Sequence, residues 1–527
     1  MTTVARVEGE QGGEIDVAVV GYGPVGQALA CLLGAAGHRV ACFERHGEIY
    51  RLPRAVHADH EVMRLLQRLG IAHDLAGEML SLTDYHWFGA DGETLMVLSQ
   101  PSPGVSGWEP DWLFFQPTLE DALDRRARSL RGVSVECGWD VEGLEQDDGG
   151  VTLSLRPFSE DPAAEPEASV QRPVRARYLI GADGANSTVR AALGVPQRDL
   201  GFRERWFVVD VVPHDIDALD LPAACQWCDP RRPTTHVRSG VGHRRWEFML
   251  LPGESEDEFD ERRAWELLAP WLGPDDAVLL RHTVYEFRSM VAEQMREHRV
   301  LLAGDAAHLT PPFLGQGLCS GLRDAANIAW KLDLVLRGVA GDALLDTVTP
   351  ERQLQNEWII SFAIELGKVL CELDPDRAAE RDTNVRGAGP PPVIALPPLQ
   401  DQSDGERAPL AGELSVQGVV ALDGREGLLD DVAGAGFTLI CRGGATDCLD
   451  EAQRGLLDLL GVSVVDFGAG ARDVDGRTTA WLDENAVDAV LVRPDLYVVG
   501  GAADGPALAR LLDDLRARLG TPAAQAH

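Results

Sequence analysis

From Ile15 to Val20 the chain reads IDVAVV, a short apolar run of the kind that fills a strand buried on both faces. It passes directly into Gly21, Gly23 and Gly26, and the small residues that follow predict a helix ending near Gly37. Arg39 to Phe43 predicts a second strand, closed by Glu44, so strand, glycine turn, helix and strand fit within about thirty residues. Between residues 85 and 110, and again from about 200 to 290, runs rich in Trp, Phe and Val replace this rhythm. Examples are Trp206 to Val212 and Trp246 to Leu251, and they predict a sheet inserted into the first unit. The α/β pattern returns at Arg299 with RVLLAGDAAH and enters a long helix from about Gly317 to Leu336. Its apolar positions Leu318, Leu322, Ala325, Ala329, Leu332 and Leu336 keep helical spacing.

From about Asp374 to Gln402 the periodicity fades and proline accumulates (GPPPVIALPPL), which predicts a linker. A small α/β layer is expected beyond it, with strands at Phe437 to Cys441, Val462 to Phe467 and Ala489 to Arg493. Helices are expected near Leu449 to Leu460 and Pro506 to Leu519. The pattern thus divides the chain into a discontinuous nucleotide-binding domain (1–84, 111–199 and 291–373), an inserted β-sheet domain (85–110 and 200–290), a linker (374–402) and a C-terminal domain (403–527).

At 527 residues the chain exceeds what one core can organise, and its 45% hydrophobic and 25% charged residues are those of a folded protein. The 48 basic and 84 acidic side chains leave a net charge of −36, which repels nucleic acid and anionic membranes. No run is long and apolar enough to cross a membrane, and the acidic start (Glu8, Glu10, Glu14) lacks a signal-peptide pattern, so a cytoplasmic location is expected. Nine cysteines, an odd and scattered set, predict reduced thiols. Cys225 and Cys228 form a CxxC, but no second pair or histidine cluster completes a zinc site, so no metal is expected.

The turn GYGPVG has the spacing that lets a backbone approach a pyrophosphate while the following helix N-terminus contributes partial positive charge. Glu44, at the end of the next strand, is placed to accept hydrogen bonds from an adenosine ribose. Such a start suits NAD or FAD. Gly304 and Asp305, at the end of a distant apolar strand, favour FAD, because a second carboxylate can accept from polyol hydroxyls that NAD lacks. PPFLGQG, from Pro311 to Gly317, then gives a tight turn and a helix start whose NH groups can face a flavin ring and stabilise negative charge on it.

These segments, together with LPRAVHADHEVMRLLQRLG from Leu52, FQPTLEDAL from Phe115 and YLIGADGANSTVR from Tyr178, resemble the group A flavoprotein aromatic hydroxylases, typified by p-hydroxybenzoate hydroxylase. The resemblance is nearest to 3-(3-hydroxyphenyl)propionate hydroxylases and polyketide-tailoring hydroxylases, and covers residues 15 to about 370. VRPDLYV from Val492 to Val498 resembles the thioredoxin-like tail of many such enzymes. The implied fold is α/β: a Rossmann-like FAD-binding domain, an inserted β-sheet substrate domain and a thioredoxin-like C-terminal domain.

The resemblance implies that Gly21, Gly23, Gly26 and Glu44 hold the ADP half of FAD, with Arg45 and Arg54 along the adenosine and pyrophosphate and Gln116 near the ribityl chain. Asp183 and Gly184 form a DG motif associated with FAD and the nicotinamide cofactor; Asp305 binds ribityl hydroxyls; Pro312, Gly315 and Gly317 line the flavin ring. The implied reaction is hydroxylation of a phenolic or related ring with NADH or NADPH as transient reductant and dioxygen, through a flavin C4a-hydroperoxide. His57 is the first candidate for the base that favours the phenolate, with Tyr285 and His86 behind it. Arg244 and Arg245, in GHRRWEFML, are candidates to clamp a substrate carboxylate, or else exposed charges at a strand end. His308 is expected to be structural, and Cys319 replaces an asparagine found in several of these hydroxylases. Cys441 and Cys448 lack CxxC spacing, so the tail is expected to serve packing or contacts between copies rather than dithiol exchange. Two alternatives share the same motifs: a same-fold flavoprotein catalysing a non-redox cyclisation, and a flavin epoxidase or Baeyer-Villiger-type oxygenase acting on a polyketide.

Overall fold

The computed structural model describes residues 14–159, 171–389, 391, 393–399 and 407–520. Glu8, Glu10 and part of the proline-rich stretch lie outside them. The first sheet is built on Ile15–Val20, which pairs in parallel with Val40–Glu44 on one side and Arg172–Gly181 on the other. Arg172–Gly181 in turn pairs in parallel with Val300–Leu302. Parallel pairing puts the carboxyl ends of all four strands at one edge. The register is tight there: Val20 lies opposite both Phe43 and Gly181, and Gly181 opposite Leu302. The turns that begin at Gly21, Glu44, Ala182 and Ala303 therefore emerge side by side, although the chain between the first and last is long. That edge is where open α/β sheets bind ligands.

Helices Pro24–Ala35 and Gly317–Leu336 cover this sheet, the second ending where its apolar spacing predicts. The inserted sheet has eight strands in the order His308–Leu309, Ala277–Ala292, Gln197–Pro213, His243–Met249, Thr234–Ser239, Ala224–Trp227, Asp84–Phe88, Thr94–Ser99. One face packs Phe207, Val209, Trp246 and Phe248 against the helix Glu261–Leu268 and Leu272. The other face looks toward the nucleotide domain. A small sheet of His57–Asp59, Asp111–Leu113 and Leu80–Leu82 fills the corner between the two.

The C-terminal domain centres on the strands Ser463–Asp466, Thr438–Cys441, Ala489–Val492 and Val498–Ala502, flanked by helices Glu451–Leu460 and Gly505–Leu519. The fourth strand and a three-stranded sheet that includes Val419–Leu422 carry no clear sequence signal. The domain is fixed by buried ion pairs rather than tethered. Asp430 accepts from Arg64 at 2.8 Å and Arg68 at 2.6 Å, while Glu351 meets Arg493 at 2.8 Å and Lys331 at 2.9 Å.

The linker expected over 374–402 is corrected in its first half. Asp374 caps a helix, Pro375–Ala388, whose Arg386 pairs with Asp91 at 2.7 Å. The helix has a start signal, Asp followed by Pro, but almost no apolar stripe, so periodicity misses it. The remaining described stretch, 393–399, is held by Gln355, whose amide donates to Pro397 O at 2.9 Å.

Candidate active site

One cavity of about 1330 Å³ runs along the shared carboxyl edge and on to the inserted sheet. It exceeds the roughly 300–1,000 Å³ of a single small-ligand pocket, as a dinucleotide plus a second molecule requires. Gly21 (φ +93°) turns so tightly that a Cβ there would lie 2.3 Å from Ala182 O. Gly26 sits behind it, where a Cβ would lie 2.0 Å from Gly21 O, so it brings helix and strand together without lining the cavity. A Cβ at Gly23 would meet nothing within 4 Å, and Gly23 precedes a helix N-terminus that no side chain caps. Space and unpaired NH groups coincide there, which suits a pyrophosphate.

Glu44 is held at the edge by the backbone NH groups of Tyr22 at 2.9 Å and His46 at 3.0 Å. Each carboxylate oxygen retains a lone pair, and the residue lines the cavity. Asp305 also lines it, and no hydrogen bond from a described protein group reaches its carboxylate. Its carboxylate is open to the cavity but otherwise surrounded by protein, and this desolvation raises its pKa, against the pull of His308 and Arg54. An unpartnered acceptor that opens onto the cavity fits a polyol. Gly304, just before it, has φ +60° and packs its bare Cα toward Val25 rather than toward the cavity.

Other positions hold the frame. Gln116 lines the cavity but accepts from Arg54 N at 2.9 Å and Ala55 N at 2.6 Å, and donates to Glu120 at 2.6 Å. Burial pushes the Glu120 carboxyl up to about 7. Asp183 accepts from Ser187 Oγ at 2.6 Å and Val189 N at 3.1 Å, anchoring the start of the helix Thr188–Leu193 beside Gly184. Arg45 and Arg54 are exposed at the cavity wall, the latter 4.9 Å over the Tyr50 ring. His308 Nε2 donates to the Asp324 carboxylate at 2.6 Å, away from the cavity, as a structural histidine does.

Pro312, Gly315 and Gly317 form the turn before the long helix, and all three line the cavity. At Gly315 (φ +64°) a Cβ would lie 2.7 Å from the His57 Cβ, so the turn and the histidine are packed together. His57 Nε2 meets Asp111 at 2.7 Å and Nδ1 lies 3.3 Å from Gly315 O. Burial pulls its pKa down, but Asp111 and the neighbouring Cys319 outweigh that, and the net pKa lies well above the ordinary value. With both nitrogens engaged and a proton retained near neutrality, His57 is a charge beside the turn rather than a free base. Cys319 is buried against His57 O and Gly315 O.

On the inserted sheet, successive side chains face opposite ways, and this divides the arginine pair. Arg245 faces the cavity, where it pairs with Asp210 at 2.7 Å and donates to Arg54 O at 2.6 Å and Pro53 O at 2.8 Å. Arg244 faces away, donating to Ile216 O at 2.7 Å and lying 3.2 Å from His236. The expected clamp on a substrate acid does not form: Arg244 does not line the cavity, and Arg245 already holds protein partners. Cys225 shares the hidden face with Arg244, lying 3.8 Å from His236 Nδ1; both CxxC thiols are free. Among the described residues no cluster could hold a metal ion.

Tyr285 lines the cavity, and its hydroxyl accepts from Arg281, which also donates to Pro53 O. Burial raises the Tyr285 pKa while Arg281 lowers it. A neutral phenol that accepts from a guanidinium keeps its own proton to donate. Arg281 and Asp111 were not legible as site residues, since nothing local marks which strand face or which distant strand meets the cavity. His86 lies on the same strand as Tyr85 but stacks on Phe88 at 6.2 Å, away from the cavity.

Residues 14–363 match a family described as FAD binding domain, and residues 412–518 match one described as HcaD C-terminal domain. The chain is 38% identical to a probable NADH-specific resorcinol 4-hydroxylase of Rhodococcus jostii strain RHA1, over 98% of this chain and 97% of that one. It is 34% identical to a 3-(3-hydroxy-phenyl)propionate/3-hydroxycinnamic acid hydroxylase of Burkholderia cenocepacia strain HI2424, over 92% and 93%. Its fold is similar to that of aklavinone-11 hydroxylase, solved with FAD and aklavinone, with a TM-score of 0.76, 25% identity and coverage of 97% and 99%.

Proposed function

The chain belongs to the FAD binding domain family, and from that membership and the cavity we propose that it is an FAD-dependent monooxygenase that consumes NAD(P)H and dioxygen to hydroxylate a phenolic ring. The observation that carries this reading is the single cavity, which joins the edge bearing Gly21, Glu44 and Asp305 to the sheet face bearing Tyr285. When bound, FAD supplies the redox chemistry, accepting reducing equivalents from the nicotinamide and delivering one oxygen atom of O2 to the ring.

The protein's part is binding, orientation and electrostatics. We assign Glu44 to the adenosine ribose, the Gly21 to Gly26 turn to the pyrophosphate with Arg45 and Arg54 beside it, and Asp305 to the ribityl hydroxyls. The turn from Pro312 to Gly317 and the helix it opens would hold the flavin ring, and protonated His57 beside them would favour negative charge on it. Gln116, Asp183 and Gly184 line the wall and fix its shape through their own hydrogen bonds and turns. Tyr285, polarised by Arg281, donates to the phenol oxygen and stabilises the phenolate, which is the more electron-rich form of the ring. Residues 393–398 and Trp358 line the cavity beside the nucleotide edge and limit the water that reaches it.

The name of the Rhodococcus relative supports NADH as the reductant. Nine free thiols, and the lack among the described residues of any helix long and apolar enough to cross a membrane, support a cytoplasmic place. The test is phenol-stimulated NAD(P)H oxidation by the FAD-loaded chain with the product identified by mass. Turnover of a candidate substrate without any reductant would instead support cyclisation and refute the assignment.

A further inference from the structure

The cavity face of the inserted sheet carries a polar group that the reaction above does not use. Gln226 is 1% exposed. Its amide nitrogen donates to the Tyr85 hydroxyl, and its amide oxygen accepts from Thr235 Oγ1 at 2.5 Å. Tyr85 and Thr235 line the cavity, and Gln226 lies behind them. Leu82, Leu98, Ala224 and Val237 form the apolar part of the wall around the pair.

Each hydroxyl keeps one unused hydrogen-bonding capacity. Tyr85 accepts from the amide, so its own proton is free; Thr235 donates to the amide, so its lone pairs are free. Turning the amide over exchanges these roles but leaves the same sum, one donor and one acceptor facing the cavity. A substrate hydroxyl, which both donates and accepts, satisfies that pair in either state. A carboxylate does not, because it only accepts.

The charges nearby point the same way. Of the guanidinium groups that this sheet brings to or beside the cavity, Arg245 and Arg281 are held by Asp210, by Tyr285 and by the carbonyls of Pro53 and Arg54, and Arg288 by Glu286. Glu247 lines the same wall, directly across the strands from Thr235. Burial raises its pKa and Arg245 lowers it, with a net rise, so the wall resists further negative charge.

We propose that Tyr85, Gln226 and Thr235 form a specificity subsite that reads a second, uncharged hydroxyl on the substrate ring, so that dihydroxybenzenes are preferred over phenols bearing a carboxylate side chain. The proposal rests on the reading that this cavity binds a phenol. It separates the chain from the relative named for hydroxyphenylpropionate, whose substrate carries an acid.

The experiment uses the full FAD-loaded chain and three probes: 1,3-dihydroxybenzene, phenol and 3-(3-hydroxyphenyl)propionate. Binding is read from the perturbed flavin absorbance, and product formation is followed separately. The wild type should bind the dihydroxybenzene at least about tenfold more tightly than either of the others, since one well-made hydrogen-bonding pair is worth about that factor. Thr235→Val and Tyr85→Phe should each reduce the ratio of dihydroxybenzene to phenol affinity by about tenfold, and Thr235→Ser should restore it. A ratio unchanged in both variants, or tighter binding of the carboxylate probe by the wild type, overturns the subsite. Selective binding that collapses in the variants but yields no hydroxylated product upholds the subsite and defeats the proposed reaction.

Discussion

Replacing Asp305 by Asn separates two effects that most active-site substitutions confound. The carboxylate lines the cavity and receives no hydrogen bond from a described protein group, and burial raises its pKa above the ordinary 3.8. A raised acid pKa means the folded chain binds more protons than the unfolded chain between the two values. Stability therefore falls as pH rises through that window and stays lower at neutrality. The neutral amide removes this penalty, so the FAD-free protein should be slightly more stable at neutral pH, and only slightly because cavity water screens an open carboxylate. FAD binding should move the other way. Losing hydrogen bonds from ribityl hydroxyls to a charged acceptor costs about 1.5–3 kcal/mol, or about 10- to 150-fold in Kd. Thermal unfolding of the apoprotein and titration with FAD by fluorescence quenching read the two effects independently. A destabilised apoprotein with unchanged FAD affinity would refute the reasoning, because Asp305 would then be a structural group.

Other substitutions probe the rest of the site. Tyr285→Phe removes the proposed donor to the phenolate and leaves Arg281 without that partner; hydroxylation per NAD(P)H consumed should fall by about 10-fold or more, with peroxide making up the balance, as a coupled oxygen and product assay would record. The raised pKa of His57 keeps its positive charge at neutrality and loses it only as pH rises through the elevated value. Flavin reduction by NAD(P)H should therefore weaken as pH rises through that elevated value, and His57→Gln should flatten that step. Glu120→Gln, which removes the separate titration near 7, should leave it in place. Asp430→Ala strands Arg64 and Arg68 in a buried interface and should cost about 3–5 kcal/mol in denaturant unfolding. Because the arginines depress the Asp430 pKa despite burial, the contact's stabilisation is full above the ordinary carboxylate range and is lost as pH falls from that range through the depressed value.

The nucleotide edge is legible in the chain because each part of it is local. GYGPVG, Glu44 and the Gly304–Asp305 pair each end an apolar strand, and parallel pairing alone brings such ends together. The inserted sheet is legible as a sheet but not as a surface. Arg244 and Arg245 look like one feature in sequence, yet a period of two residues sends them to opposite faces, and only the pairing partners decide which face meets the cavity. The pairing of His57 with Asp111 arises from two strands of three residues each, too short to carry a pattern. Gln226 is invisible for the same reason, being one polar residue in an otherwise apolar strand. The helix Pro375–Ala388 escaped because most of its anchoring contacts are polar, through Arg381, Asp382 and Arg386, and a helix without an apolar stripe has no hydrophobic period to read.

The account depends on flavin chemistry and phenol binding sharing one cavity. A single turnover of the FAD-loaded chain with NAD(P)H, a phenol and 18O2 tests this most directly. One atom of the label should appear in the ring hydroxyl of the product, its mass two units heavier than the product made in ordinary dioxygen. Product that forms without dioxygen, or that takes its new oxygen from labelled water instead, would contradict it.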